Sequence, residues 1–133
     1  MLPSKQMNML TKRIIGCAIS VHRSLGPGLL ESLYEEALCF EFEHQGIEYR
    51  RQVPVSLEYR GKTLPSPLFL DLLVADEVIV EIKSVESILP VHEAQLLSYL
   101  RLAEKDVGLL INFHVSVLRQ GIRRKIRRYL ENE

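Results

Sequence analysis

Apolar positions recur along this chain with two different periods, and the switches between them mark its elements. From about Asn8 to Leu25, the residues Leu10, Ile14, Ala18, Val21 and Leu25 follow helical spacing, and Gly26-Pro27-Gly28 then stops the helix. A second helix is expected from about Leu29 to Gln45, ended by Gly46. On it Glu31, Tyr34, Glu35 and Leu38 fall at i, i+3, i+4 and i+7, along one face. Ile47 to Tyr59 is rich in β-branched and aromatic residues and reads as strand, with Pro54 marking an edge or a break and Arg60-Gly61-Lys62-Thr63 a hairpin turn. Leu64-Pro65-Ser66-Pro67 cannot pair regularly. Pro90 opens a third helix, with His92, Gln95, Leu96, Tyr99 and Leu102 along overlapping faces, and Val107 to Phe113 suits a buried strand. Beyond Leu118 two readings stand: Ile122, Ile126 and Leu130 suit a helix, and a strand fits nearly as well. The order helix, helix, strands, helix, strand, without repeat or linker, predicts an α/β or α+β core.

One stretch breaks the apolar pattern in an informative way. Asp71 to Lys83 forms two strand-like runs that carry Asp71, Glu81 and Lys83 among leucines, valines and isoleucines. An unpaired buried charge costs on the order of several kcal/mol, so charges kept in such runs serve a partner, a metal or a reaction. Alternation puts Glu81 and Lys83 on one face. A three-residue loop of Ala75, Asp76 and Glu77 would set Asp71 opposite Glu81 on that face. Leu70, Leu72, Val74, Val78, Val80 and Ile82 would then form the packed face, leaving the other to chemistry.

Composition narrows the setting. With 133 residues the chain suits one domain, residues 1–133, around one core, and its 17 basic and 17 acidic residues balance to zero charge. The distribution is uneven: acids crowd Glu31 to Glu48, while Arg119, Arg123, Arg124, Lys125, Arg127 and Arg128 crowd the end. Cys17 and Cys39 lie in apolar helical patterns without a CxxC pair, so they read as buried free thiols in a reducing, cytoplasmic setting. No signal-peptide pattern or membrane-length apolar run is present, so no membrane partner is expected.

An Asp and a Glu close together on one face repel unless a cation sits between them, and such a pair suits Mg²⁺ or Mn²⁺. Lys83 could then position or help deprotonate a water, or neutralise charge on a phosphate undergoing attack. Asp71 followed by Glu81-Ile82-Lys83 resembles the motif of the PD-(D/E)xK nuclease superfamily. Gly28-Leu29-Leu30-Glu31-Ser32-Leu33-Tyr34 resembles the signature of one branch, the GxxExxY proteins. The likeness runs from about Val21 to Ile126 and includes Val91-His92-Glu93-Ala94-Gln95 and Leu110-Ile111-Asn112-Phe113. Residues 65–69 and His114 depart from it.

The resemblance implies a restriction-endonuclease-like core, a central mixed β-sheet flanked by helices, and a Mg²⁺- or Mn²⁺-dependent nuclease. It makes Asp71 and Glu81 metal ligands, helped by the Ile82 backbone carbonyl and, through water, by Glu31. Lys83 becomes the catalytic lysine, and Gln95 approaches from the third helix. The alternative is a module that keeps this fold, binding nucleic acid or protein without cutting. Two strands require two sites, so a homodimer is one expectation.

Structural readings compete for several residues. For Glu31 the helix dipole alone explains an acid in the first turn. Glu35 is expected to face solvent, and Tyr34 to belong to the core. His22 and His92 read as structural groups, Gly61-Lys62-Thr63 as a turn rather than a phosphate loop, and the basic tail as either a solvated face or a phosphate-binding one.

Overall fold

Ser4 opens the first helix by accepting a hydrogen bond from the Met7 N–H at 3.0 Å, so α1 (Lys5–Leu25) starts earlier than its apolar pattern suggests. The computed structural model describes residues 4–127. After the Gly-Pro-Gly break, α2 (Glu31–Gln45) runs to Gly46, whose left-handed backbone (φ 70°) ends it as expected. Then follow β1 (Tyr49–Val55), a small ribbon of β2 (Glu58–Tyr59) and β3 (Lys62–Thr63), β4 (Leu68–Val74) and β5 (Val78–Lys83). The chain continues through α3 (Pro90–Ala103), β6 (Val107–Asn112), a 3₁₀ turn (Leu118–Gly121) and β7 (Ile122–Ile126).

Five strands form one mixed sheet in the order β1-β4-β5-β6-β7. Only β5 and β6 are parallel, and α3 is the crossover between them. Helices α1 and α2 cover one face and α3 the other, the α+β architecture of restriction-endonuclease-like proteins. Pro54 lies on β1, an edge strand that tolerates it. The 118–126 segment resolves as a 3₁₀ turn and a strand. Arg128 and Leu130 fall outside the described residues.

Packing corrects one expectation. Both faces of the sheet are packed, rather than one. On the α1/α2 side Ile14, Ala18, Tyr34, Leu38 and Phe42 meet Leu72, Val74, Val78, Val80, Ile82, Leu109 and Ile111. On the other side Leu96 and Leu100 of α3 meet Leu70, Leu73, Ile79 and Leu110. Leu70 therefore packs with Leu73 and not with Leu72, so the alternation of β4 breaks at Asp71. Of the leucines on α3, Leu96 and Leu100 are buried and Leu102 is exposed. Cys17 and Cys39 are buried free thiols. Among the described residues no helix is long and apolar enough to cross a membrane.

The β4–β5 hairpin has the expected register: Leu72 faces Val80, Leu73 faces Ile79 and Val74 faces Val78 around the loop Ala75–Glu77. Ala75 and Asp76 are both left-handed (φ 53° and 56°), an unfavourable conformation held from outside. The Ala75 N–H donates to the Glu48 carbonyl at 2.8 Å, and Lys105 Nζ donates to the Asp76 carbonyl at 2.9 Å.

Candidate active site

Beyond Leu72 and Val80 the backbone ladder between β4 and β5 stops, and carboxylates take over its work. Asp71 and Glu81 come next in register. The Asp71 N–H donates to Glu81 Oε2 at 2.9 Å, and the Ile82 N–H donates to Asp71 Oδ2 at 2.8 Å. Strand β5 stays paired with β6 as far as Lys83 and Asn112. It is thus β4, still paired with β1 as far as Leu68, that parts from β5, and the side chains of Asp71 and Glu81 fill the opening.

The pair is poorly solvated. Glu81 is only 4 % exposed and Asp71 is half-buried. Burial first, and the neighbouring Asp71 charge second, push the Glu81 carboxyl up from 4.5 to about 8, against the opposing pull of the Asp71 N–H and of Lys83. Asp71 is raised too, chiefly by burial, then by Glu35 and Glu31, while the Ile82 N–H and Lys83 pull it down. Near neutral pH the two carboxyls cannot both ionise cheaply, so a proton or a cation must sit with them.

Lys83 follows on the same strand, and its Nζ donates to Gln95 Oε1 at 3.4 Å, a long bond that leaves the amine free to turn. Gln95 reaches it because Pro90 starts α3 where it does. The Leu89 N–H at that start donates to His92 Nδ1 at 2.9 Å, so His92 caps the helix, in keeping with a structural role. Below Lys83, buried Asn112 accepts from the Val85 and His114 N–H groups and donates to the Val85 carbonyl. That fastens the segment joining β5 to α3. Tyr99, one turn beyond Gln95, is half-buried; burial first, then the charges of Glu81 and Asp71, raise its hydroxyl. Its place at the site was not foreseen, although its spacing from Gln95 is the available signal.

Glu31 arrives from the other side. Gly28 (φ 101°) makes a turn few other residues would accept, and the exposed Glu31 opens α2 without a side-chain cap before it. Tyr34 explains how this turn holds its shape. Its ring is fully buried and stacks on Phe113 at 4.4 Å, and its hydroxyl donates to the Gly26 carbonyl (2.5 Å) and accepts from the Leu29 N–H (3.1 Å). Ser84 Oγ donates to the Leu29 carbonyl at 2.6 Å, tying the same turn to the residue after Lys83. Tyr34 is therefore core, as expected, and also the fastener of the Glu31 turn.

Glu35 corrects the sequence reading. Far from facing solvent, it is 5 % exposed and accepts from Arg51 Nε and from Gln52 Nε2 on β1. An acid one turn after Glu31 carries that signal, but a polar helix residue reads as solvent-facing until its partners are known. Among the described residues, no group of three or more His, Cys, Asp or Glu side chains converges to hold a metal ion. Asp71 and Glu81 are joined as a pair, and the Glu31 charge acts on Asp71 without a hydrogen bond to it. His22 bonds the Val115 carbonyl at 2.7 Å and is structural. Four described cations of the basic tail are engaged: Arg123 donates to the Gln120 and Ile122 carbonyls, Arg124 to Asn8, Lys125 pairs with Glu93 and Arg127 with Asp106.

The donor set fits a hard divalent cation. It offers two carboxylates, with the Ile82 carbonyl between Glu81 and Lys83, and no thiol or imidazole. Their mutual repulsion is what a cation would relieve. No curated protein and no solved structure matches the chain. A family model does, over residues 8–125: that of the PD-(D/E)XK nuclease superfamily.

Proposed function

We propose, from the premise that the chain belongs to the PD-(D/E)XK nuclease superfamily, that it is a Mg²⁺- or Mn²⁺-dependent nuclease, and that its place is in the GxxExxY branch. The observation that carries this reading is the contact of Asp71 with Glu81 at the point where β4 parts from β5, two residues before Lys83. Gly28, Glu31 and Tyr34 support the branch, because together they build one fastened turn.

Asp71, Glu81 and the Ile82 carbonyl would hold the metal ion, with Glu31 reaching it through water. When bound, the ion supplies Lewis acidity for an attacking water and counter-charge for a phosphodiester. Lys83 orients that water and offsets the charge growing on the phosphate, and Gln95 holds the amine until substrate arrives. The Leu73, Ile79 and Leu96 core beneath excludes bulk water from one side of the pair. Glu31, Glu35, Asp71 and Glu81 outnumber Lys83 and Arg51 here, so a nucleic acid approaches readily only once a cation compensates the carboxylates.

The reading treats residues 1–133 as one nuclease-like domain, working in a reducing, cytoplasmic setting that keeps Cys17 and Cys39 as thiols. A homodimer would supply the second site that two strands require. The test is incubation of labelled DNA and RNA with Mg²⁺ or Mn²⁺ and the wild type, Asp71→Ala or Lys83→Ala. Cutting by the wild type alone is expected; equal activity in all three overturns the assignment in favour of a non-catalytic module.

A further inference from the structure

We infer that Glu35 and Gln52 form a clamp that positions Asp71, a role resting on the metal-site reading above but carried by separate observations. On the β1 side, the ladder pairs Arg51 with Leu72 and Val53 with Leu70. Gln52 and Asp71 stand level between those rungs, and their rung is missing. The backbone of Gln52 is left-handed there (φ 53°), which a residue other than glycine adopts only when its surroundings hold it. Packing does not hold it, because Gln52 is exposed.

Its side chain does. Gln52 Nε2 lies 3.0 Å from Glu35 Oε1 and 3.2 Å from Oε2, and Arg51 Nε donates to Oε2 at 2.5 Å. Glu35 is buried on α2, whose own position is set by the Tyr34, Leu38 and Phe42 core, so the anchor is firm. The left-handed backbone at Gln52 frees Asp71 from pairing with β1 at the level where it also leaves the β5 ladder. Asp71 then spends its N–H and carboxylate on Glu81 and Ile82. The break in β4 alternation, with Leu70 and Leu73 on one side, falls at that same missing rung, with the β1–β4 register unchanged on either side of it. Glu35 and Gln52 are positioning residues: they touch neither the Asp71 carboxylate nor any reacting atom.

Two variants separate the clamp from general stability. Gln52→Gly accepts the left-handed backbone without cost but deletes the amide. Gln52→Lys keeps a donor for Glu35. Amide hydrogen exchange, without divalent ions, is read at Asp71 and Ile82, with Ile111 as the control in β6. Gln52→Gly should speed exchange at Asp71 and Ile82 about tenfold, as expected for a lost bond to a charged acceptor, and leave Ile111 unchanged. Gln52→Lys should stay near wild type. Calorimetry with Mn²⁺ should show a roughly tenfold or greater loss of affinity in Gln52→Gly. Unchanged exchange in Gln52→Gly, or equal acceleration in both variants, overturns the clamp whether or not the protein cuts. A wild type that neither binds Mn²⁺ nor cuts, yet shows the expected exchange pattern, overturns the nuclease reading and leaves the clamp standing.

Discussion

The Asp71 N–H donates to the Glu81 carboxylate at 2.9 Å, across two strands whose backbones have stopped pairing with each other. One acid is thus held by the strand that carries the other. The arrangement places two carboxyls in a half-closed setting at some electrostatic cost, and that cost has measurable signs.

Stability should fall as pH rises. The Glu81 carboxyl stands at about 8 in the folded chain against 4.5 when free, so the folded state keeps a proton that the unfolded state has released. The contribution is full below about 4.5 and is lost as pH climbs toward 8, by at most about 1.4 kcal/mol per pH unit. Asp71 is shifted in the same direction and adds to the trend. Urea unfolding with a chelator present should give a lower midpoint at pH 8 than at pH 5, as orders of condition. Glu81→Gln should flatten the slope, and a flat wild-type profile would contradict the buried pair.

Divalent ions should reverse that trend. A cation displaces the proton held by the pair, so it binds better as pH rises. At about a hundredfold excess over its dissociation constant it would add about 2.7 kcal/mol. The Mn²⁺-induced rise in Tm should therefore be larger at pH 8 than at pH 6, and absent in Asp71→Asn. An equal rise in both proteins would place the ion elsewhere.

Tyr34→Phe should loosen the turn that carries Glu31. It strips the Gly26 carbonyl and the Leu29 N–H of a shared partner while keeping the stack on Phe113. A loss of about 1 to 2 kcal/mol in unfolding free energy is expected, together with slower cleavage. Unchanged cleavage would separate Glu31 from the chemistry.

Two glycines test the fold itself. A Cβ on Gly121 would lie 2.3 Å from the Asn112 carbonyl oxygen, which cannot retreat, so Gly121→Ala should cost about 3 kcal/mol by overpacking. Gly16 lies exposed within α1, and a Cβ there meets nothing within 4 Å. Gly16→Ala should stabilise by about 0.5 to 1 kcal/mol, and urea midpoints check both.

What the sequence made legible was set by local rules. The register of Asp71 with Glu81 follows from an odd loop and strand alternation, and Gln95 from the proline that starts α3. What escaped depends on partners far along the chain. Glu35 looks like a solvent residue until Arg51 and Gln52 are folded onto it. Leu70 changes face where the rung between Gln52 and Asp71 is missing, which nothing within β4 announces. The end of the chain was ambiguous because the charges of Arg123, Arg124 and Lys125 hide a strand whose other edge is paired with β6.

The proposed chemistry stands on a divalent metal ion held by Asp71 and Glu81. Anomalous diffraction from a crystal soaked in Mn²⁺ tests it most directly. One peak is expected between the two carboxylates and beside the Ile82 carbonyl, at about 2.1 Å from the ligating oxygens, and none in Asp71→Ala. No peak at that pair, or a peak held by other residues, would contradict it.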